Sequence, residues 1–215
     1  NNNLKIVTAL LDKGANVNQT DRFGWTGLMW AAQEGYLDVV KELLGKKADL
    51  TLKTYKLEWT ALIIAAQSGK TEVVSLLLSR GANVNQKDKE GDTVLIITVM
   101  RGFVDTVKVL LDRNAPVNEK GKDGYTPLMH ASYQGKVNMV QLLLGKKADI
   151  NARSNDNYTA LMIASYKGHT EVVKLLLAKG ASVNLKNKNG ETALKLAMNN
   201  GYSTIAQLLR KAGAK

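Results

Sequence analysis

The 215-residue chain is predicted to be all-α, an α-solenoid in which antiparallel helix pairs are joined by β-hairpin-like fingers. Three observations carry this. First, the stretch GWTGLMWAAQEGYLDVVKELL at residues 24–44 returns five more times in altered spelling, and aligning on its Thr gives Thr26, Thr60, Thr93, Thr126, Thr159 and Thr192, spaced 34, 33, 33, 33 and 33 residues apart. A period that regular marks a stacked array, whose units share one core and set no internal domain boundary. Second, every unit carries a Thr and a Gly at fixed places, where a helix must begin and where the chain must leave it. Third, an apolar stripe at helical spacing follows the Gly. The chain therefore reads as a single array over 1–215: a partial repeat at 1–20, full repeats at 21–54, 55–87, 88–120, 121–153 and 154–186, and a capping repeat at 187–215.

The elements follow in order. Each Thr is placed as an N-cap, its hydroxyl accepting from the first free N–H groups of a helix, and Pro127 occupies the next position, where its missing N–H costs nothing. The first helix of each pair should run about nine residues. Gly35, Gly69, Gly102, Gly135, Gly168 and Gly201 then supply the positive φ at which the chain turns. A second helix carries a stripe such as Val39, Val40, Leu43 and Leu44. Segments such as GANVNQKDKEGDT complete the unit, with Asp88 and Gly91 at the first and fourth places of a tight turn. Two features break the pattern. LTLKTYKLEWT carries one extra residue and puts Tyr55 and Glu58 at the Asp and Gly places, so that finger should be irregular. Second helices are left through Gly14, Gly81, Asn114, Gly180 and Gly213, but through Lys47 and Lys147 in the two LLGKKAD segments.

The segments YTPLMHASYQG, GHTEVVKLLLAKGASVN and GANVNQKDKEGDT closely resemble the ankyrin repeat family, whose pattern is D-x-x-G-x-T-P-L-H-x-A-A-x-x-G-H-x-x-V-V-x-x-L-L-x-x-G-A-x-V-N. The resemblance covers essentially the whole chain, as six complete units preceded by half of one. The 34-residue helix-turn-helix repeats lack the Asp-to-Gly finger and the VN ending. Where the family usually has the His of TPLH, this chain has Met29, Ile63, Ile96, Met129, Met162 and Lys195, so five units exchange a polar group for apolar burial. Lys195 lies with Asn199, Asn200, Ser203 and Gln207, as suits a capping unit that meets water. NNNLKIVTALLDKGANVN supplies only a second helix and a finger, which suggests an array cut from a larger parent or an engineered one. The resemblance also points to asparagine hydroxylation at Asn18, Asn85, Asn118, Asn151 and Asn184; the stronger competing reading is that these side chains bridge backbone groups in the turn.

Composition bounds the function. Thirty basic against nineteen acidic side chains give a net charge of +11, which favours an acidic partner without choosing among nucleic acid, anionic membrane and peptide. The absence of Cys excludes disulfides and thiolate metal sites. No apolar run approaches the 18 or so residues of a bilayer span, and residues 1–20 lack the regions of a signal peptide, so the expected location is cytoplasmic or nuclear, without membrane insertion. The two His residues, His130 and His169, fall at different phases of different repeats. They converge with no nucleophile or metal set, so no catalytic residue, metal or cofactor is expected.

In the family the first helices and fingers line a concave face, and the resemblance implies that the variable positions on it meet a partner. Those positions hold Phe23, Trp25, Trp59, Asp92, Arg101, Tyr125, Tyr133, Tyr158 and Tyr166, with Lys87, Lys120 and Arg153 alongside. Seven of the twelve aromatic residues sit there, and large rigid aromatics dominate interface energetics. The expected function is a non-catalytic, monomeric protein-interaction scaffold taking a protein or peptide with apolar anchors and acidic flanks. A single-stranded nucleic acid could stack on the same aromatics, but Glu34, Glu90, Asp92, Asp123, Asp156 and Glu191 would repel its phosphates. An engineered array without a natural partner is the third reading.

Overall fold

The computed structural model describes residues 3–215 and falls into two compact units, Asn1–Ala115 and Pro116–Lys215. The first holds α1 (Leu4–Asp12), α2 (Gly27–Glu34), α3 (Leu37–Gly45), α4 (Ala61–Gln67), α5 (Thr71–Ser79), α6 (Val94–Arg101) and α7 (Val104–Asp112). Within it α2, α4 and α6 pack in one row, and α1, α3, α5 and α7 form a second row against them. The second unit holds α8 (Pro127–Tyr133), α9 (Val137–Gly145), α10 (Ala160–Lys167), α11 (Thr170–Ala178), α12 (Ala193–Asn199) and α13 (Ser203–Lys211), again as a row of first helices and a row of second helices. The fold is all-α, as the repeat predicts. The hairpin character of the fingers shows as isolated antiparallel bridges, Thr20 with Thr26 and Lys87 with Thr93.

All six Thr residues cap as expected. Their hydroxyls accept from the N–H of Met29, Ile63, Ile96, Met129, Met162 and Lys195 at 3.2–3.5 Å. The apolar residues in the His place are buried, and two do more: the sulfurs of Met29 and Met129 accept the N–H of Thr26 and Thr126 at 3.5 Å, closing a reciprocal cap. Lys195 is exposed, as are Asn199, Asn200, Ser203 and Gln207. The first helices run seven or eight residues, short of the expected nine, because the turn before the Gly has already left α geometry, as at Ser68 and Asn200.

Every second helix ends in one Schellman motif. Gly14, Lys47, Gly81, Asn114, Lys147, Gly180 and Gly213 all have φ between 61° and 92°. The Ala that follows each of them donates to the Leu carbonyl five residues back, as from Ala48 to Leu43 and from Ala148 to Leu143, both at 3.0 Å. Lys is therefore held left-handed at 47 and 147, where five other units use Gly or Asn. The row of first helices supplies most of the core: Leu62, Ile63, Ile64, Leu95 and Ile96 are almost wholly buried.

Candidate functional site

The fingers place the candidate residues. In 21–25 the Asp21 carboxylate accepts the N–H of Phe23 at 2.8 Å and of Trp25 at 2.9 Å, and these bonds, Trp25 foremost, hold its carboxyl below the ordinary range. Asp88 Oδ1 accepts the N–H of Glu90 and Asp92, and the carboxamide Oδ1 of Asn187 accepts those of Asn189 and Glu191. In 54–59 the expectation that Tyr55 takes the Asp place is corrected. Thr54 takes it: its N–H donates to the Trp59 carbonyl and its hydroxyl accepts the Trp59 N–H at 3.1 Å, across five residues rather than four. Glu58 does stand in for Gly, at φ 57°.

Neighbouring fingers are strapped by backbone bonds. In the second unit the N–H of Asn155 donates to Asp123 and that of Lys188 to Asp156, so adjacent residues 155 and 156 face the two neighbours. In the first unit Tyr55 donates to Phe23, while Lys89 donates to Leu57. The strap residues of this finger are thus separated by the extra residue, Lys56, which spreads the tip.

The aromatic candidates divide into two sets. Trp25, Trp59, Tyr125 and Tyr158, each before a capping Thr, are half-buried, whereas Phe23, Tyr133 and Tyr166 are 56%, 50% and 46% exposed. Position explains the split: a residue entering the cap lies against the next finger, while fingertip and helix-end residues project. The Trp59 indole N–H donates to Asp88 at 3.4 Å. Burial raises the Tyr125 phenol above its ordinary value, and Tyr158, Asp123 and Asp156 add to the effect. The Lys167 ammonium sits 4.2 Å from the Tyr133 ring centroid and 5.5 Å from that of Tyr166, and hydrogen bonding to Tyr133 raises its pKa.

The charged candidates are placed less freely than the sequence implies. Lys120 donates to the Arg153 carbonyl at 2.7 Å and Arg153 to that of Lys186 at 2.6 Å, so both side chains are strapped to the next finger. Lys87 and Arg101 are exposed, and Asp92 is buried. Two aromatics were missed: Tyr55, 68% exposed, and Trp30, 48% exposed with its ring 4.6 Å from that of Trp25. Trp30 was detectable as the bulky exception at a place that is Ile in three other repeats. His169 has a structural duty: its Nε2 bonds the Tyr133 carbonyl at 2.9 Å and its ring covers Gly135. His130 lies 5.4 Å from Tyr125, ring to ring.

Among the described residues no cluster of three or more His, Asp or Glu could hold a metal ion, and no helix is long and apolar enough to cross a membrane. No curated protein matches the chain. The family described as ankyrin repeats matches in three copies, over residues 1–88, 81–154 and 148–215. Ankyrin repeats are generally protein–protein interaction modules and typically non-catalytic, and with matches running from residue 1 to residue 215 the chain belongs to the ankyrin repeat family.

Proposed function

We propose that this chain is a monomeric, non-catalytic scaffold that binds a protein or peptide along a concave face made by its fingers and first helices. The observation that carries the reading is the half-exposure of Phe23 in the first unit and of Tyr133 and Tyr166 in the second, with Trp25 and Trp59 half-buried in the first and Tyr125 and Tyr158 half-buried in the second. Aromatics with few rotatable bonds bury much area at small entropic cost, the usual make-up of interface anchors. The excess of 30 basic over 19 acidic residues, with Lys87 and Lys120 at the finger edges, favours a partner with acidic residues around its apolar anchors.

Peptide display against the immobilised chain tests this. Selected peptides should bind the wild type and lose binding to a variant with Trp25, Trp59, Tyr125 and Tyr158 changed to Ala, while Lys41→Ala and Lys174→Ala on the second helices leave it intact. Equal losses in both sets would refute the assignment of the face. Sub-micromolar capture of random single-stranded RNA with a steep salt slope would instead make the ligand a nucleic acid.

A further inference from the structure

We infer that a large apolar side chain of the partner seats between the fingers at 21–25 and 54–59, and that opposite charges on the two sides of this seat fix the direction in which the partner chain lies. The inference rests on the interaction reading above and confines its acidic-flank expectation to one side of this seat.

The seat is a hollow of about 250 Å³ walled by Phe23, Trp25, Tyr55, Leu57 and Trp59. It exists because the 54–59 finger is one residue longer than the others. Tyr55 is held to Phe23 by its N–H and Leu57 to Lys89 by its carbonyl, so the two side chains stand apart with Lys56 bulging between them. Tyr55 also closes the floor, since a Cβ on Gly24 would come within 2.7 Å of its ring. A hollow lined by aromatic rings and Leu holds an apolar side chain best.

The flanks differ in sign. Arg22 and Lys56 line the seat on one side, both exposed, and the Arg22 guanidinium lies 4.7 Å from the Phe23 ring centroid. On the other side Leu57 and Trp59 form a partition, because both also line a second hollow of about 320 Å³ that holds Asp88, Glu90 and Asp92. Arg101 also lines that hollow, where three carboxylates outnumber its one guanidinium, and its Nε donates to the Gln67 oxygen of α4 at 3.2 Å. A partner with a carboxylate beside Arg22 and Lys56 and an ammonium or guanidinium beyond Trp59 meets favourable charge on both sides. The reversed chain meets like charge on both. Complementarity of this kind governs register and orientation more than raw affinity.

Fluorescence anisotropy on the full chain with three labelled peptides decides the matter. Each carries a central Trp, with Glu before and Lys after it, the reverse order, or Glu on both sides. One mixed order should bind about tenfold more tightly than the other and more tightly than the all-acidic peptide. Glu90→Lys should bring the two mixed orders within about twofold of each other, and Phe23→Ala should weaken all three. Equal binding of the two mixed orders to the wild type would overturn the inference. Tightest binding by the all-acidic peptide would overturn it too, while leaving the interaction reading standing. Indifference of all three to Phe23→Ala, or no binding by any, would remove the seat; the display experiment then decides the broader reading independently.

Discussion

The carboxamide oxygen of Asn18 accepts a hydrogen bond at 2.8 Å from the backbone N–H of Asp49, 31 residues along the chain. The same bond runs from Asp149 to Asn118 at 2.7 Å, from Ser182 to Asn151 at 2.9 Å and from Lys215 to Asn184 at 3.0 Å. Asn118 and Asn184 also donate to the carbonyls of Lys147 and Gly213, the left-handed residues of the following loops. These side chains therefore do bridge backbone groups, and the groups they hold belong to the following repeat, so each clips the next repeat. Replacing Asn118 by Ala removes both bonds and should lower stability by about 1–2 kcal/mol. Urea denaturation checks this, and an unchanged midpoint would show that water replaces the clip.

Gly35, Gly69, Gly135 and Gly168, which join the helices of four pairs, meet a second constraint beyond their positive φ. At Gly135, φ is 69° and an added Cβ would lie 2.6 Å from Nδ1 of His169. Gly135→Ala should therefore cost more than the about 1–2 kcal/mol of left-handed strain alone. In the background of His169→Ala the clash is gone and only the strain should remain, so a double-mutant cycle should report coupling between the two sites. Additive losses would show that the ring moves aside freely.

How legible all this was depends on the range of the interaction. Thr caps, connecting Gly residues and the left-handed places at Lys47 and Lys147 could be read because each is set by backbone geometry within a few residues. The Asp place of the longer finger was read one residue late, at Tyr55 instead of Thr54, because a Thr hydroxyl can accept the N–H that Asp accepts elsewhere and the pattern offers no way to prefer it. The clip from Asn18 to Asp49 was invisible because its partner is a backbone N–H, which leaves no mark in the sequence. The partition formed by Leu57 and Trp59 between two hollows depends on where the extra residue, Lys56, sits, so it too emerges only from the fold.

The division of the aromatics by exposure separates binding from stability. Phe23→Ala, Tyr133→Ala and Tyr166→Ala should each weaken a selected peptide by about 1–3 kcal/mol with little change in melting temperature. Trp59→Ala and Tyr125→Ala should weaken it comparably but also lower the melting temperature, since both rings are half-buried and Trp59 bonds Asp88. Calorimetry and anisotropy on the same five variants check this. Equal melting temperatures across the set would refute the division.

Tyr125 makes a prediction in alkali. Its phenol is raised above its ordinary value of 10.0, chiefly by burial, so the folded state holds the proton more tightly than the unfolded one. The sign follows: this group contributes nothing adverse below pH 10.0, and stability falls as pH rises from there toward the folded-state value. Tyr125→Phe should flatten the alkaline loss of stability and remove the last phase of phenolate absorbance in a titration. A variant that titrates like the wild type would show that another tyrosine is the late one.

The most direct test of the backbone reading concerns Lys47 and Lys147, both at φ 65° in loops whose Schellman bonds match those of the Gly loops. Because the hydrogen bonding is the same, the comparison isolates conformational strain: a Cβ in the left-handed region costs about 1–2 kcal/mol, part of which is offset by the greater freedom that Gly has when unfolded. Both side chains are exposed, so little packing is lost. Lys47→Gly and Lys147→Gly should each raise stability by about 0.5–1 kcal/mol. The loop after Lys47 leads directly to the longer finger and to Glu58 at φ 57°, a second non-glycine in the same conformation. Strain at both ends of one segment should make amide exchange across residues 45–58 faster than across the helix at 170–178. Lys47→Gly should slow that exchange more than Lys147→Gly slows exchange in residues 145–157. If both substitutions destabilise the chain, or if 45–58 is as protected as 170–178, the left-handed lysines are not strained and the weak segment lies elsewhere.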